Sequence, residues 1–205
     1  MKCVVCTGIT GSERRQCMYE LRDFTKKNNK NFEILDPWEE TKKLYPDIRE
    51  DTILNIDDEV RLDYFEKAYK IVADNLNDLR VGQQDTVVAI PMHPVFYWKS
   101  GFKDAIRDNF LDWLSPDLFI TVIHNLRELK SNLDRDKYSR FPDITLLEIL
   151  QWRDREMKDT TRWAVKFKKD HIVLARKEPI ETSYGVLFTN NKRIYFSYPM
   201  SYVSP

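Results

Sequence analysis

The sequence predicts an α/β protein: a three-layer, doubly wound, mostly parallel five-stranded sheet formed by residues 1–190. Two observations predict it. Short runs that read as strands, Cys3–Cys6, Phe32–Leu35, Thr86–Ile90, Leu118–Ile123 and His171–Ala175, alternate with stretches of helical periodicity. Thr86–Ile90 and Leu118–Ile123 are apolar but for one threonine each and show no alternation, as strands buried on both faces do. With no hairpin signal between consecutive runs, the connections read as right-handed βαβ crossovers.

The composition sets outer bounds. At 205 residues, 42% hydrophobic and 13% aromatic, the chain can bury one sizeable core. Its 33 basic and 33 acidic residues cancel, so no basic excess points to nucleic acid. With only 5 Gly and 9 Pro, neither disorder nor an all-β chain of tight turns is expected. No apolar run approaches bilayer-spanning length and no signal peptide is evident, so no membrane partner and a cytoplasmic location are expected. Self-association is left open. Cys3, Cys6 and Cys17 lie in the first strand and helix. Alternation sends Cys3 and Cys6 to opposite faces and no second pair completes a zinc site, so no metal is expected there.

Along the chain, the first strand runs into Thr7-Gly8-Ile9-Thr10-Gly11-Ser12-Glu13-Arg14-Arg15 and then a helix carrying Cys17, Met18, Leu21 and Phe24 at helical spacing. Strand, glycine-bearing turn and helix form the layout of an anion-binding loop, in which backbone N–H groups at a helix N-terminus meet phosphate. The second strand, Phe32–Leu35, stops at Asp36-Pro37. Residues 38–55 form an excursion with a short helix. A long amphipathic helix follows from Asp57 to about Arg80, with Val60, Tyr64, Ala68, Ile71, Asn75 and Leu79 on one face and Phe65, Val72 and Leu76 beside it. The third strand ends in Pro91-Met92-His93-Pro94. Helices are then expected over Phe102–Leu114, over Leu126–Leu133 and from Ile144 into the 160s, the last capped by Asp143. A final helix spans Pro179–Phe188, and Arg193–Phe196 reads as a sixth strand.

In such a sheet the ligand crevice lies beyond the carboxyl ends of the strands. The Gly8–Arg15 loop, Asp36, His93 and His124 all fall there. Asp36 suits a base or cation ligand as well as an Asp-Pro turn. His93 and His124 suit general bases, metal ligands together with Asp36, or hydrogen-bonded turn residues. Phe96, Tyr97 and Trp98 suit either base stacking or the core.

Thr7-Gly8-Ile9-Thr10-Gly11, together with the Pro116-Asp117 preceding the fourth strand, resembles the archaeal-type adenylate kinase branch of the P-loop nucleoside and nucleotide kinases. The resemblance implies strand order 2-3-1-4-5, ATP or a related nucleotide as ligand with Mg²⁺ as its companion, and a small nucleotide or nucleoside as partner. It places phosphate on Gly8, Gly11, Ser12, Glu13, Arg14 and Arg15. The loop departs from G-x-x-x-x-G-K-[ST]: Glu13 stands for the second glycine, Arg14 for the lysine and Arg15 for the Mg²⁺-binding hydroxyl. Arg14, Asp36, Arg135 and Arg153 are the catalytic candidates implied, and Arg127, Arg140 and Arg155 are further crevice cations. An active phosphotransferase, an inactive kinase-like sensor or interaction module, and a nucleoside- or nucleotide-processing hydrolase or transferase built on Asp36, His93 and His124 all stay open. Residues 191–205, with Ile194–Met200 resembling the first strand and turn of nucleoside 2-deoxyribosyltransferase-like domains, are expected to be an edge strand or the stub of a further domain.

Overall fold

The computed structural model describes residues 1–82, 85–99, 101–135, 141 and 143–189. The expected sixth strand at residues 193–196 and the tail lie outside them. The central strands are β1 (Lys2–Thr7), β2 (Asn31–Ile34), β3 (Thr86–Pro91), β6 (Leu118–Ile123) and β7 (His171–Ala175). They form one five-stranded sheet in the order β2-β3-β1-β6-β7, every neighbouring pair parallel. This is the 2-3-1-4-5 order, because β6 and β7 are the fourth and fifth strands of the main sheet.

The layers follow from strand alternation. Cys3 and Val5 of β1 pack on one face against α3 (Asp58–Gly82), α4 (Phe110–Leu114) and the second half of α6 (Leu146–Phe167). Val4 and Cys6 pack on the other against α1 (Arg14–Lys27) and α7 (Ile180–Phe188). The two cysteines are therefore free thiols in separate halves of the core, and burial pushes both up to about 12. That is the behaviour of small hydrophobes. Asp117 pins the amino end of β1 beside β6: its carboxylate accepts the Cys3 N–H at 2.9 Å, and its own N–H reaches the Cys3 carbonyl at 2.8 Å.

Three local expectations are corrected. On α3 the buried stripe is Arg61, Leu62, Phe65, Ala68, Tyr69, Val72, Ala73 and Leu76, while Val60 is exposed. Burying α2 (Pro37–Leu44) and the sheet on adjacent sides rotates the stripe past Val60. The helix expected over Phe102–Leu114 is instead an antiparallel hairpin, β4 (Val95–Trp98) with β5 (Gly101–Asp104), followed only at its end by the short α4. Its turn opens on Lys99 in the left-handed region (φ 49°), a conformation that the usual Asn-Gly or Asp-Gly pair would have signalled. Finally, α6 is capped by Thr145 in a reciprocal capping box with Glu148, not by Asp143.

The remaining helix near the site is α5 (Leu126–Asp134), capped by Asn125. Buried hydroxyls join α6 to the sheet: Thr7 Oγ1 lies 2.7 Å from Thr121 Oγ1 and 2.9 Å from Thr160 Oγ1. Among the described residues, no helix is long and apolar enough to cross a membrane.

Candidate functional site

At the carboxyl edge of β1 the chain must leave the sheet and enter α1 within six residues, and two glycines make this geometry accessible. Gly8 has φ 147°, and a Cβ there would stand 2.7 Å from the Val122 carbonyl and 2.8 Å from Ser12 Oγ. Gly11 (φ 82°) is the third residue of a turn closed by the Ser12 N–H on the Ile9 carbonyl at 3.0 Å. The loop then delivers α1, whose N-cap Glu13 makes no side-chain cap and whose first turn carries no acidic residue. The α1 N-terminus is thus left open to an anion. Ser12 is 1% exposed, and its hydroxyl has no hydrogen-bond partner among the described residues.

Each of the three residues departing from the common phosphate loop has a partner. Glu13, left-handed at φ 57°, is held by Arg176 at 3.0 Å and by Asn132 at 3.3 Å. Arg176 follows β7, and it also pairs with Glu20 at 2.8 Å. Arg14 turns inward, donating to the Gly8 carbonyl at 2.6 Å and the Met92 carbonyl at 2.9 Å. Burial lowers its pKa, while the Glu156 carboxyl beside it pulls the other way. Arg15 meets Asp36: Nη2 donates to Oδ1 at 3.2 Å, and Nε lies 2.8 Å from Oδ2, off the hydrogen-bond axis. Asp36 also caps α2 through the Trp38 N–H at 2.9 Å, so the Asp-Pro turn and the crevice position hold together.

Below the loop lies a residue that the sequence reading missed. Glu156 of α6 is fully buried; its Oε1 accepts the Gly8 N–H at 2.9 Å and stands 3.2 Å from His93 Nδ1. Burial pushes this carboxyl up to about 8, opposed by the Arg14 guanidinium and the Gly8 N–H. Its signal in the sequence is an acidic residue in phase with the buried face Ile149, Trp152, Thr160 and Trp163 of α6. The Nε2 of His93 lies 3.2 Å from Arg14 Nη2, so both ring nitrogens face the Arg14–Glu156 pair.

The loop opens into a cavity of about 260 Å³ between α2, α3 and the β4–β5 hairpin. Ile9 to Arg15 and His93 form its polar end. Trp38, Phe65, Tyr69, Phe96, Met92 and Ile106 make most of the rest apolar and aromatic. Tyr97 also lines it, packed on Trp152 with its hydroxyl donated to Glu148, which lies well below its ordinary carboxylate range as a result. Trp98 instead reaches Asn55 at the surface.

The other expected cations are dispersed. Arg155 is directed at Asp159 (2.6 Å) and Asp104 (4.0 Å). Arg135 folds back on Ser131 and Asn132 of its own helix. Arg127 is exposed at the start of α5. Arg153 is half-buried and makes no ion pair among the described residues. Arg140 lies outside the described residues. His124 is buried after β6, its Nδ1 accepting the Asn125 N–H at 2.8 Å, and is not part of the cavity wall.

The donor set does not fit Mg²⁺. Magnesium requires near-octahedral oxygen ligation, usually one or two carboxylates with phosphate oxygens. Position 15 offers a guanidinium instead of a hydroxyl, and both Asp36 oxygens face it. Among the described residues, no group of three or more His, Cys, Asp or Glu side chains converges to hold an ion.

No known protein family matches the sequence, and no curated protein does. The fold does have solved counterparts. Shikimate kinase from Acinetobacter baumannii in complex with shikimate superposes with a TM-score of 0.54 at 11% identity, covering 91% of this chain and 92% of that one. An unliganded sugar kinase from a Janibacter species gives 0.48 at 14% identity over 89% of each chain. Shikimate kinase from Bacteroides thetaiotaomicron gives 0.45 at 14% identity over 89% and 93%. The first likeness, with the strand order, defines the fold as that of the P-loop kinases.

Proposed function

We propose that this protein binds a nucleotide by its phosphates at the Gly8–Arg15 loop and presents them to a small acceptor in the adjoining cavity. The observation that carries the reading is the open N-terminus of α1, with the unpartnered Ser12 hydroxyl beside it, facing a 260 Å³ cavity at the carboxyl edge of a kinase-type sheet. Anionic phosphate suits backbone N–H groups at a helix terminus, with Arg14 and Arg15 adding charge. The acceptor carries a planar aromatic ring, as the base of a nucleoside or nucleotide does. The shikimate held by the Acinetobacter kinase is a small polar ring, whereas Trp38, Phe65, Tyr69 and Phe96 offer stacking faces and few hydrogen bonds.

A second reading, a nucleotide-binding sensor without turnover, is favoured by one specific observation: Arg15 occupies the place of the magnesium-binding hydroxyl and is tied to Asp36. The hydrolase reading built on Asp36, His93 and His124 has less support, since His124 stands apart from the cavity wall and Asp36 is engaged by Arg15. Thermal shift with ATP, ADP, AMP and adenosine tests the binding claim, with a rise expected for ATP and ADP; no shift with any of them refutes it. Phosphoryl transfer from ATP is then assayed across nucleosides and nucleoside monophosphates. Turnover supports the acceptor assignment, and binding without turnover selects the sensor.

A further inference from the structure

We infer that Arg15, held against Asp36, takes the place of the divalent cation, so that the loop binds nucleotide phosphates without Mg²⁺. The inference rests on the reading that phosphates occupy the Gly8–Arg15 loop. It is carried by what surrounds position 15. In the common phosphate loop this residue supplies a hydroxyl to Mg²⁺, and the ion neutralises phosphate charge. Here the same position brings a permanent positive charge into the cavity wall.

The guanidinium is held closely by Asp36 and only distantly by Glu50. Nε and Nη2 face the Asp36 carboxylate at 2.8 and 3.2 Å, while Nη1 points toward Glu50, 4.0 Å away and beyond hydrogen-bond reach. Arg15 is about one-third exposed, so its remaining N–H groups can donate to a phosphate oxygen while the Asp36 contact persists. A guanidinium fixed in this way loses less freedom on binding phosphate than an untethered side chain.

The carboxylate an entering ion would need is committed. Asp36 has a 5% exposed side chain; its Oδ1 receives both the Trp38 N–H and Arg15, and its Oδ2 faces Arg15. A magnesium ion would have to displace the guanidinium from a nearly buried carboxylate and leave that charge beside itself. Glu13 offers no substitute, because Arg176 holds it. Glu50, also in the cavity wall, accepts the Trp38 Nε1–H at 3.0 Å and faces Arg15, and with the Ser12 hydroxyl it makes too small a ligand set for Mg²⁺.

The test is calorimetric titration with ADP in EDTA and again in excess MgCl₂, using the full chain. Dissociation constants that agree within about threefold support the inference. Tightening by tenfold or more in MgCl₂ overturns it and leaves the nucleotide reading standing. No binding in either buffer overturns the nucleotide reading and this inference with it. The variant Arg15→Thr restores the hydroxyl and frees Asp36. Its affinity in EDTA is expected to fall at least tenfold and to recover in MgCl₂; unchanged affinity in EDTA overturns the inference. Arg15→Lys, which keeps the charge and perturbs folding less, is expected to bind ADP more weakly yet equally in both buffers. A magnesium requirement in that variant also overturns it.

Discussion

Glu156→Gln gives a quantitative handle on the floor beneath the loop. The wild-type carboxyl rises from 4.5 to about 8 because folding strips it of water. The folded state therefore holds its proton longer than the unfolded state does. Between pH 4.5 and 8 the unfolded chain binds fewer protons at this group, so stability falls as pH rises. The loss is a little over 1 kcal/mol per pH unit, so roughly 2 kcal/mol between pH 5 and 7. Glutamine keeps the shape and the acceptor for the Gly8 N–H, but it does not titrate. Urea unfolding followed by tryptophan fluorescence at pH 5, 6 and 7 is expected to show wild type losing stability more steeply than the variant. Parallel profiles would refute the reasoning, because they would mean Glu156 holds the same charge in the folded and unfolded chains.

Three further outcomes are expected. Gly8→Ala drives a methyl group into the Val122 carbonyl at a left-handed φ, and chemical denaturation should show a loss of at least about 2 kcal/mol. Arg176→Ala leaves the Glu13 carboxylate without its counter-charge at the phosphate entrance. ADP affinity by calorimetry should fall several-fold, and the double variant Glu13→Ala/Arg176→Ala should recover most of it. Asp117→Ala orphans the Cys3 N–H at the opposite edge of the sheet, and denaturation should show about 1 kcal/mol lost with ADP binding unaltered.

The sheet was legible because a parallel strand buried on both faces leaves a continuous apolar run, as Thr86–Ile90 and Leu118–Ile123 do. The β4–β5 hairpin was not, because Lys99 takes the left-handed position where Asn or Asp would announce a turn, and the Ser100-Gly101 pair that follows it was the one signal in the sequence. At the site, chain order placed the loop, Asp36 and His93 on the same edge. It could not say what each side chain would face. Glu13 is resolved by Arg176 and Arg15 chiefly by Asp36, and Arg176 lies at long range in the chain. Glu156 was hidden for a related reason: on a helix as charged as α6, one carboxylate facing inward differs from its neighbours only by phase.

The most direct test of the phosphate cradle is a titration of the ¹⁵N-labelled protein with ADP and with adenosine, followed by amide chemical shifts. The account predicts that ADP moves the amides of Gly11 to Gln16 most strongly and that adenosine, which carries no phosphate, moves them far less. Equal effects of ADP and adenosine, or ADP shifts that bypass the loop, would contradict it.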